Sequence, residues 1–287
     1  MPEVGSAPGS VRYVRSMDVA RASSRPLEGT GRRSCFVLGC GRSGTSLLAG
    51  AIAHAGYFCG DDLIAAREAN PRGFFEDRLV NRLNEQILDP VILGRPGPPY
   101  RTGSDPMTYA SQRWLAQLPV GIDVELADDL RPELEALCAR EPFCFKDPRF
   151  SYTLPAWRQC LRSEPAYLCV FRQPGRTAAS ILVEATQPYL RDLELERSAA
   201  LAVWTLMYRH ILETHRSRGA WVFVHYDQIL EGNGLERVEE ALGTAVDRSF
   251  ADPALNRSVD AEDVPAEALA TYATLCRLAG YEQHGAR

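Results

Sequence analysis

Lysine is almost missing from this 287-residue chain: of 32 Lys and Arg residues, only Lys146 is a lysine. Such a bias fits a GC-rich genome in which lysine codons have drifted to arginine. A lone lysine then becomes a candidate for chemistry that arginine cannot perform. Excess positive charge is also lacking. A formal net charge of −5 excludes a broad nucleic-acid or anionic-membrane surface but leaves room for a small basic pocket. No C-x-x-C pair occurs among the eight cysteines (35, 40, 59, 138, 144, 160, 169 and 276). That pattern argues against a zinc ribbon or disulfide framework and for buried free thiols in a reducing compartment. Long apolar runs are absent too. The longest, Leu47 to Cys59, falls short of the ~20 residues that span a bilayer and reads as a core helix, with His54 packed inside it. The first 33 residues carry six Arg against three acids and no apolar segment. They read as a disordered tail rather than a secretory signal, so the chain is expected to be cytoplasmic.

What remains is ordinary globular composition, 45% apolar and 24% charged, enough for one large α/β domain over residues 34–287. Cys35–Gly39 reads as a buried parallel strand and Ser46–Gly56 as the helix after it. Further strands are expected at Pro142–Lys146, Ala166–Arg172 and Ala220–Tyr226. Helices are expected at Arg78–Leu88, Tyr109–Leu118, Arg131–Arg140, Leu154–Leu161, Pro174–Ile181, Glu194–His215, Leu235–Leu242 and Ala266–Leu278. Pro90–Pro106, rich in Pro and Gly, reads as a mobile loop. Strands separated by helices predict a parallel sheet of the P-loop type, flanked by helices on both faces, with ligands at the carboxyl ends of the strands.

The first strand runs into Gly39-Cys-Gly-Arg-Ser-Gly-Thr-Ser46 and straight on into a helix. This is a phosphate loop with Thr45 where a lysine usually stands. The backbone N–H groups of Gly41, Ser43 and Gly44 would cradle phosphate oxygens, with hydroxyls from Thr45 and Ser46 and a fixed charge from Arg42. Without the loop lysine a standard ATPase or kinase is disfavoured. A second constellation places Arg172 at a strand end and Ser180 eight residues on, inside the next helix. The two can converge on one anion. The lone lysine ends a short strand in Phe145-Lys-Asp-Pro-Arg149, at the ligand-binding edge.

Arg42-Ser-Gly-Thr-Ser46 resembles the phosphate loop of the PAPS-dependent sulfotransferase superfamily, which binds the 5′-phosphosulfate of 3′-phosphoadenosine-5′-phosphosulfate (PAPS). In that superfamily an arginine and a serine at the spacing of Arg172 and Ser180 hold the 3′-phosphate. The K-D-P-R run is similar to one in bacterial members, and its K-D-P to the catalytic-lysine motif of tyrosylprotein sulfotransferases. The resemblance spans roughly Cys35 to Asp260. It implies that Lys146, assisted by Arg42, stabilises charge on the bridging oxygen as the phosphosulfate bond breaks.

Transfer to a hydroxyl, or to an amine, also needs a base. Asn70-Pro-Arg-Gly-Phe-Phe-Glu76 resembles a bacterial sulfotransferase signature and favours Glu76. Gly60-Asp-Asp62 stands where tyrosylprotein sulfotransferases carry their catalytic glutamate and offers Asp62 as the alternative. Asn256-Arg-Ser-Val-Asp260 resembles the loop that closes over the nucleotide, which makes Arg257 and Ser258 cofactor contacts. PAPS as co-substrate, no metal, and a small-molecule acceptor selected by Pro90–Pro106 and Gln187–Arg197 complete the expectation. A kinase-like phosphotransferase and a non-catalytic nucleotide-binding protein are the competing readings.

Overall fold

The computed structural model describes residues 31–67, 70–93, 112–187, 190, 195–251 and 263–282. Four strands, β1 (Cys35–Leu38), β2 (Cys144–Lys146), β3 (Ala166–Phe171) and β4 (Ala220–His225), form one parallel sheet in the order β2-β1-β3-β4. Strand side chains alternate between two cores. Phe36 and Leu38 of β1 with Tyr167, Cys169 and Phe171 of β3 face one; Cys35 and Val37 with Ala166, Leu168 and Val170 face the other. Both faces are buried, so these segments read as unbroken apolar runs rather than alternating ones.

The first core is closed by α2 (Arg78–Leu93), α4 (Phe150–Arg158), α6 (Arg197–His210) and α9 (Ala266–Ala279), the second by α1 (Thr45–Ala53) and α8 (Leu235–Leu242). Among the described residues, α3 (Arg131–Cys138) and α5 (Pro174–Ala185) also pack on the first core and α7 (Tyr226–Glu231) on the second. The chain leaves β1 for β2 on one side and later for β3 on the other. The carboxyl ends of β1 and β3 therefore flank the point where strand order reverses, the place where open α/β sheets bind ligands. Among the described residues no helix is long and apolar enough to cross a membrane.

Several local expectations are corrected. The Pro90–Pro106 loop does not begin at Pro90: α2 continues through it to Leu93. Val91 and Ile92 pack on the core, which offsets the hydrogen bond that a helical proline cannot donate; residues 94–106 lie outside the described residues. The helix expected at Tyr109–Leu118 is only a 3₁₀ turn, Arg113–Leu115, followed by extended chain, with residues 109–111 outside the description. Here side chains compete with helical pairing, because Glu85 accepts the Arg113 N–H. The helix expected at Leu154 starts at Phe150, where Asp147 accepts the Arg149 N–H and fixes the turn. The long helix expected at Glu194–His215 begins at Arg197 and ends in a π turn, Ile211–His215. His54 is no core residue. It caps the end of α1, half exposed, with Nδ1 3.0 Å from Asp247. All eight cysteines are unpaired, and seven are buried. The proposed N-terminal tail, apart from residues 31–33, lies outside the described residues.

Candidate functional site

The loop after β1 is built on two glycines whose missing side chains matter. Gly44 has φ +96°, and a Cβ there would stand 2.5 Å from the Tyr226 ring; a Cβ on Gly41 would stand 2.8 Å from Trp114. The Tyr226 and Trp114 rings thus pack directly on the loop backbone, Gly41 and Gly44 line the cavity, and α1 begins at Thr45 with its first N–H groups facing outward from the helix. Arg42 between them also takes a left-handed conformation, φ +69°, which costs a non-glycine residue about 1–2 kcal/mol. Strain of this kind collects at ligand sites. Tyr208 of α6 clamps the loop from below: its hydroxyl accepts from the Cys40 N–H at 3.1 Å and donates to Val170 O at 2.7 Å. Ser43 is buried, its hydroxyl 3.5 Å from that of Thr177, whereas Gly41, Arg42, Gly44, Thr45 and Ser46 line the cavity.

Arg42 reaches across to the second constellation. Its Nε donates to Ser180 Oγ at 3.2 Å, and its Nη1 lies 3.3 Å from the buried Glu184 carboxylate, both on α5. Arg172, at the end of β3, is 8% exposed and stacks over Tyr226 at 4.4 Å. Burial lowers its pKa; Tyr226 and Asp227 oppose the shift, and Arg176 and Arg42 reinforce it. Three guanidiniums, from Arg42, Arg172 and Arg176, therefore crowd one region and repel one another, a cost that a polyanion would relieve. Arg176 was not singled out from the sequence, although it sits four residues beyond Arg172 on the first turn of α5 and lines the same cavity.

On the opposite wall, Lys146 ends β2 and Glu76 precedes α2. Lys146 Nζ donates to Glu76 Oε1, and the two are 4% and 8% exposed. The lysine is thus not paired with its neighbour Asp147, nor Glu76 with Arg72 or Arg78. Asp77 caps α2 by accepting from Leu79 and Val80 N–H, which fixes Glu76 at the helix start. Phe75 beside it has φ +53°, rare for a bulky residue.

Asp147 is fully buried and accepts from Asn81, Asn84 and Arg149, tying the K-D-P-R turn to α2. Burial raises its pKa. Arg149 in turn donates to Glu85. Its own pKa, which burial would lower, is raised by Asp147, Glu85 and Glu76. Glu85 and Arg113, also missed in the sequence, complete this charged layer. They carried no signal, because their partners lie 28 and 64 residues away.

Arg42, Glu76, Glu85, Lys146, Arg172 and Ser180 open on one cavity of about 1140 Å³, lined from Gly41 to Phe250; Ser43 and Asp147 are buried and do not line it. Asp62 is left aside. Its side chain is 72% exposed, 3.4 Å from Arg78, and does not line the cavity. Arg257 and Ser258 lie outside the described residues, as does most of Gln187–Arg197.

No protein-family model and no curated protein sequence matches the chain. Solved structures similar to it include two sulfotransferases. One is the sulfotransferase domain of the Synechococcus PCC 7002 olefin synthase, 14% identical, covering 88% of this chain and 98% of that one at a TM-score of 0.48. The other is the sulfotransferase STF9 from Mycobacterium avium, 17% identical, covering 88% and 69% at a TM-score of 0.38. Likeness this distant assigns the chain no activity.

Proposed function

We propose that this chain is a PAPS-dependent sulfotransferase that moves a sulfuryl group to an acceptor hydroxyl by in-line displacement. The observation that carries the reading is the Arg42–Ser180 contact, which joins the phosphate loop to the second anion motif across one cavity. The residues suit a nucleotide with phosphates at both ends. The backbone at Gly41 and Gly44 with the Thr45 and Ser46 hydroxyls would receive the 5′-phosphosulfate. Arg172 and Ser180, with Arg176 nearby, would hold the 3′-phosphate. Arg42 lies between and serves both ends.

PAPS supplies an activated sulfuryl group, which passes to the acceptor oxygen as its bond to the 5′-phosphate breaks, leaving 3′,5′-ADP. Glu76 takes the proton of the acceptor hydroxyl. Its pairing with Lys146 gives this a consequence, because a protonated Glu76 no longer neutralises the ammonium. Lys146 then offers its full charge to the departing oxygen, with Arg42 assisting. Base and electrophile thus act in one motion.

Calorimetry on the intact chain with 3′,5′-ADP, 5′-AMP and ATP–Mg²⁺ tests the reading. Selective binding of 3′,5′-ADP is expected. ATP–Mg²⁺ binding as tight as 3′,5′-ADP would favour a phosphotransferase instead. Tight 3′,5′-ADP binding without transfer from PAPS to any acceptor would leave a nucleotide-binding protein.

A further inference from the structure

The wall of the cavity away from the phosphate loop is a single helix face. Arg78, Asn81, Arg82, Glu85, Gln86 and Asp89, spaced three and four apart along α2, all line the cavity, while Val80, Leu83, Ile87 and Leu88 on the other side are buried in the core. No apolar side chain interrupts that inward stripe. A polar helix face is ordinarily a solvated one, but this one lines a cavity, and although Arg78 and Arg82 are half exposed its centre is buried. Glu85 is 7% exposed. Its Oε2 faces the Arg113 guanidinium at 3.2 Å yet receives no aligned hydrogen bond.

The charges on this wall are of both signs. Arg78 pairs with Asp62, Arg82 with Gln86 and Glu133, and Arg113 with Glu85 and Asp89, while Asn81 donates to Asp147; the donors and acceptors left over are of both kinds, on Arg, carboxylate and amide groups alike. A purely cationic or purely anionic ligand would meet repulsion from half of them. An apolar one would take water from the whole row and return no hydrogen bonds. A molecule with several hydroxyls can donate and accept at each position. Trp114 adds a flat apolar surface between α2 and the phosphate loop. Its ring lies against Gly41, and its Nε1 donates to Gln112 at 3.1 Å. An indole face in that position suits the C–H face of a sugar ring.

We infer that the acceptor is a polyhydroxylated, carbohydrate-like molecule bound along the inward face of α2, with Trp114 beneath it. Calling this occupant the acceptor rests on the sulfotransferase reading above; the chemistry of the wall does not. Glu76, two residues before the helix, sits at the end of the row nearest Lys146. A hydroxyl of a molecule lying along α2 would meet it there.

The test is binding to the intact chain, read by ligand-observed NMR and calorimetry. The probes are maltotriose, chitotriose and trehalose beside 4-nitrophenol and 1-hexanol, with 3′,5′-ADP titrated in parallel. Saccharide binding is expected, without binding of the phenol or the alkanol. Gln86→Leu, and separately Asp89→Asn, should weaken it at least tenfold while 3′,5′-ADP affinity stays within twofold. Binding of the phenol or alkanol in place of the saccharides overturns the inference. So does binding of none of the five, or saccharide affinity that neither substitution changes. Failure of 3′,5′-ADP to bind would remove the nucleotide reading, and the saccharide titrations would still decide what this wall holds.

Discussion

Arg172→Ala removes one of three crowded guanidiniums, and its effect depends on the ligand. Loss of a charge-assisted contact costs about 1.5–3 kcal/mol, which should appear with 3′,5′-ADP and nearly vanish with 5′-AMP. Equal weakening of both would make Arg172 a structural partner of Tyr226. The Lys146–Glu76 pair calls for a different design, because removing one member of a buried pair strands the other at about 3–5 kcal/mol. Lys146→Met alone and Glu76→Met alone should each lower stability by that order. The double variant should regain much of the loss, since two apolar side chains strand no charge, and should have no transferase activity. Glu76→Gln, which keeps shape, should hold 3′,5′-ADP affinity and lose kcat by about 10²–10⁴-fold, while Asp62→Asn changes little. A dead Asp62→Asn beside an active Glu76→Gln would move the base to the exposed carboxylate. Denaturant titrations and single-turnover rates on the same preparations separate these outcomes.

At the scale of elements, Gly44→Ala tests the phosphate loop as a backbone device. The added Cβ meets the Tyr226 ring at 2.5 Å and must hold φ +96°, so a loss of roughly 1–3 kcal/mol in stability is expected. 3′,5′-ADP affinity should fall with it. A variant as stable as the parent would show that the turn relaxes freely. The elements legible in the sequence share a cause: β1, β3 and β4 are short apolar runs bounded by Gly, Pro or charge, and both faces of the sheet are covered. Those misread depend on distant side chains. Pro90 stays helical because Val91 and Ile92 reach the core. Arg113–Leu115 is a turn where Glu85 takes the Arg113 N–H. The short helix α7 was missed because His225 is an unusual cap. Its Nδ1 accepts from Asp227 N–H while Gln228 accepts from the His225 N–H, a reciprocal box that the usual residue preferences do not flag.

Over the whole molecule, the site was legible where it is linear and hidden where it is folded. The phosphate loop, the Arg172–Ser180 spacing and the lone lysine are short-range patterns. The Arg42–Ser180 contact spans 138 residues and the Lys146–Glu76 pair spans 70, so no local signal announces them. Glu85, Arg113 and the buried histidines are likewise visible only in three dimensions, and they make stability depend on pH in opposing ways. Burial pushes His210 down from 6.5 to about 4 and His215 to about 3, and lowers His225. The stability these groups contribute is present above pH 6.5 and is lost as pH falls toward those values, at about 1.4 kcal/mol per pH unit for each. Burial instead raises Glu85 from 4.5 to about 7, against Arg149 and Arg113. Its contribution is full below pH 4.5, lost as pH rises through 7, and so recovered on acidification. Burial raises Asp147 in the same direction as Glu85, and three histidines against two carboxyls should leave unfolding free energy falling between pH 7.5 and 5. Glu85→Gln removes its share of the opposing contribution, and its acid loss should exceed the parent's by about 2–3 kcal/mol. His215→Gln should shrink the loss. Urea titrations at the two pH values measure all three. An acid loss in Glu85→Gln no larger than the parent's would mean that Glu85 stays ionised in the fold, held by Arg149 and Arg113 against its burial.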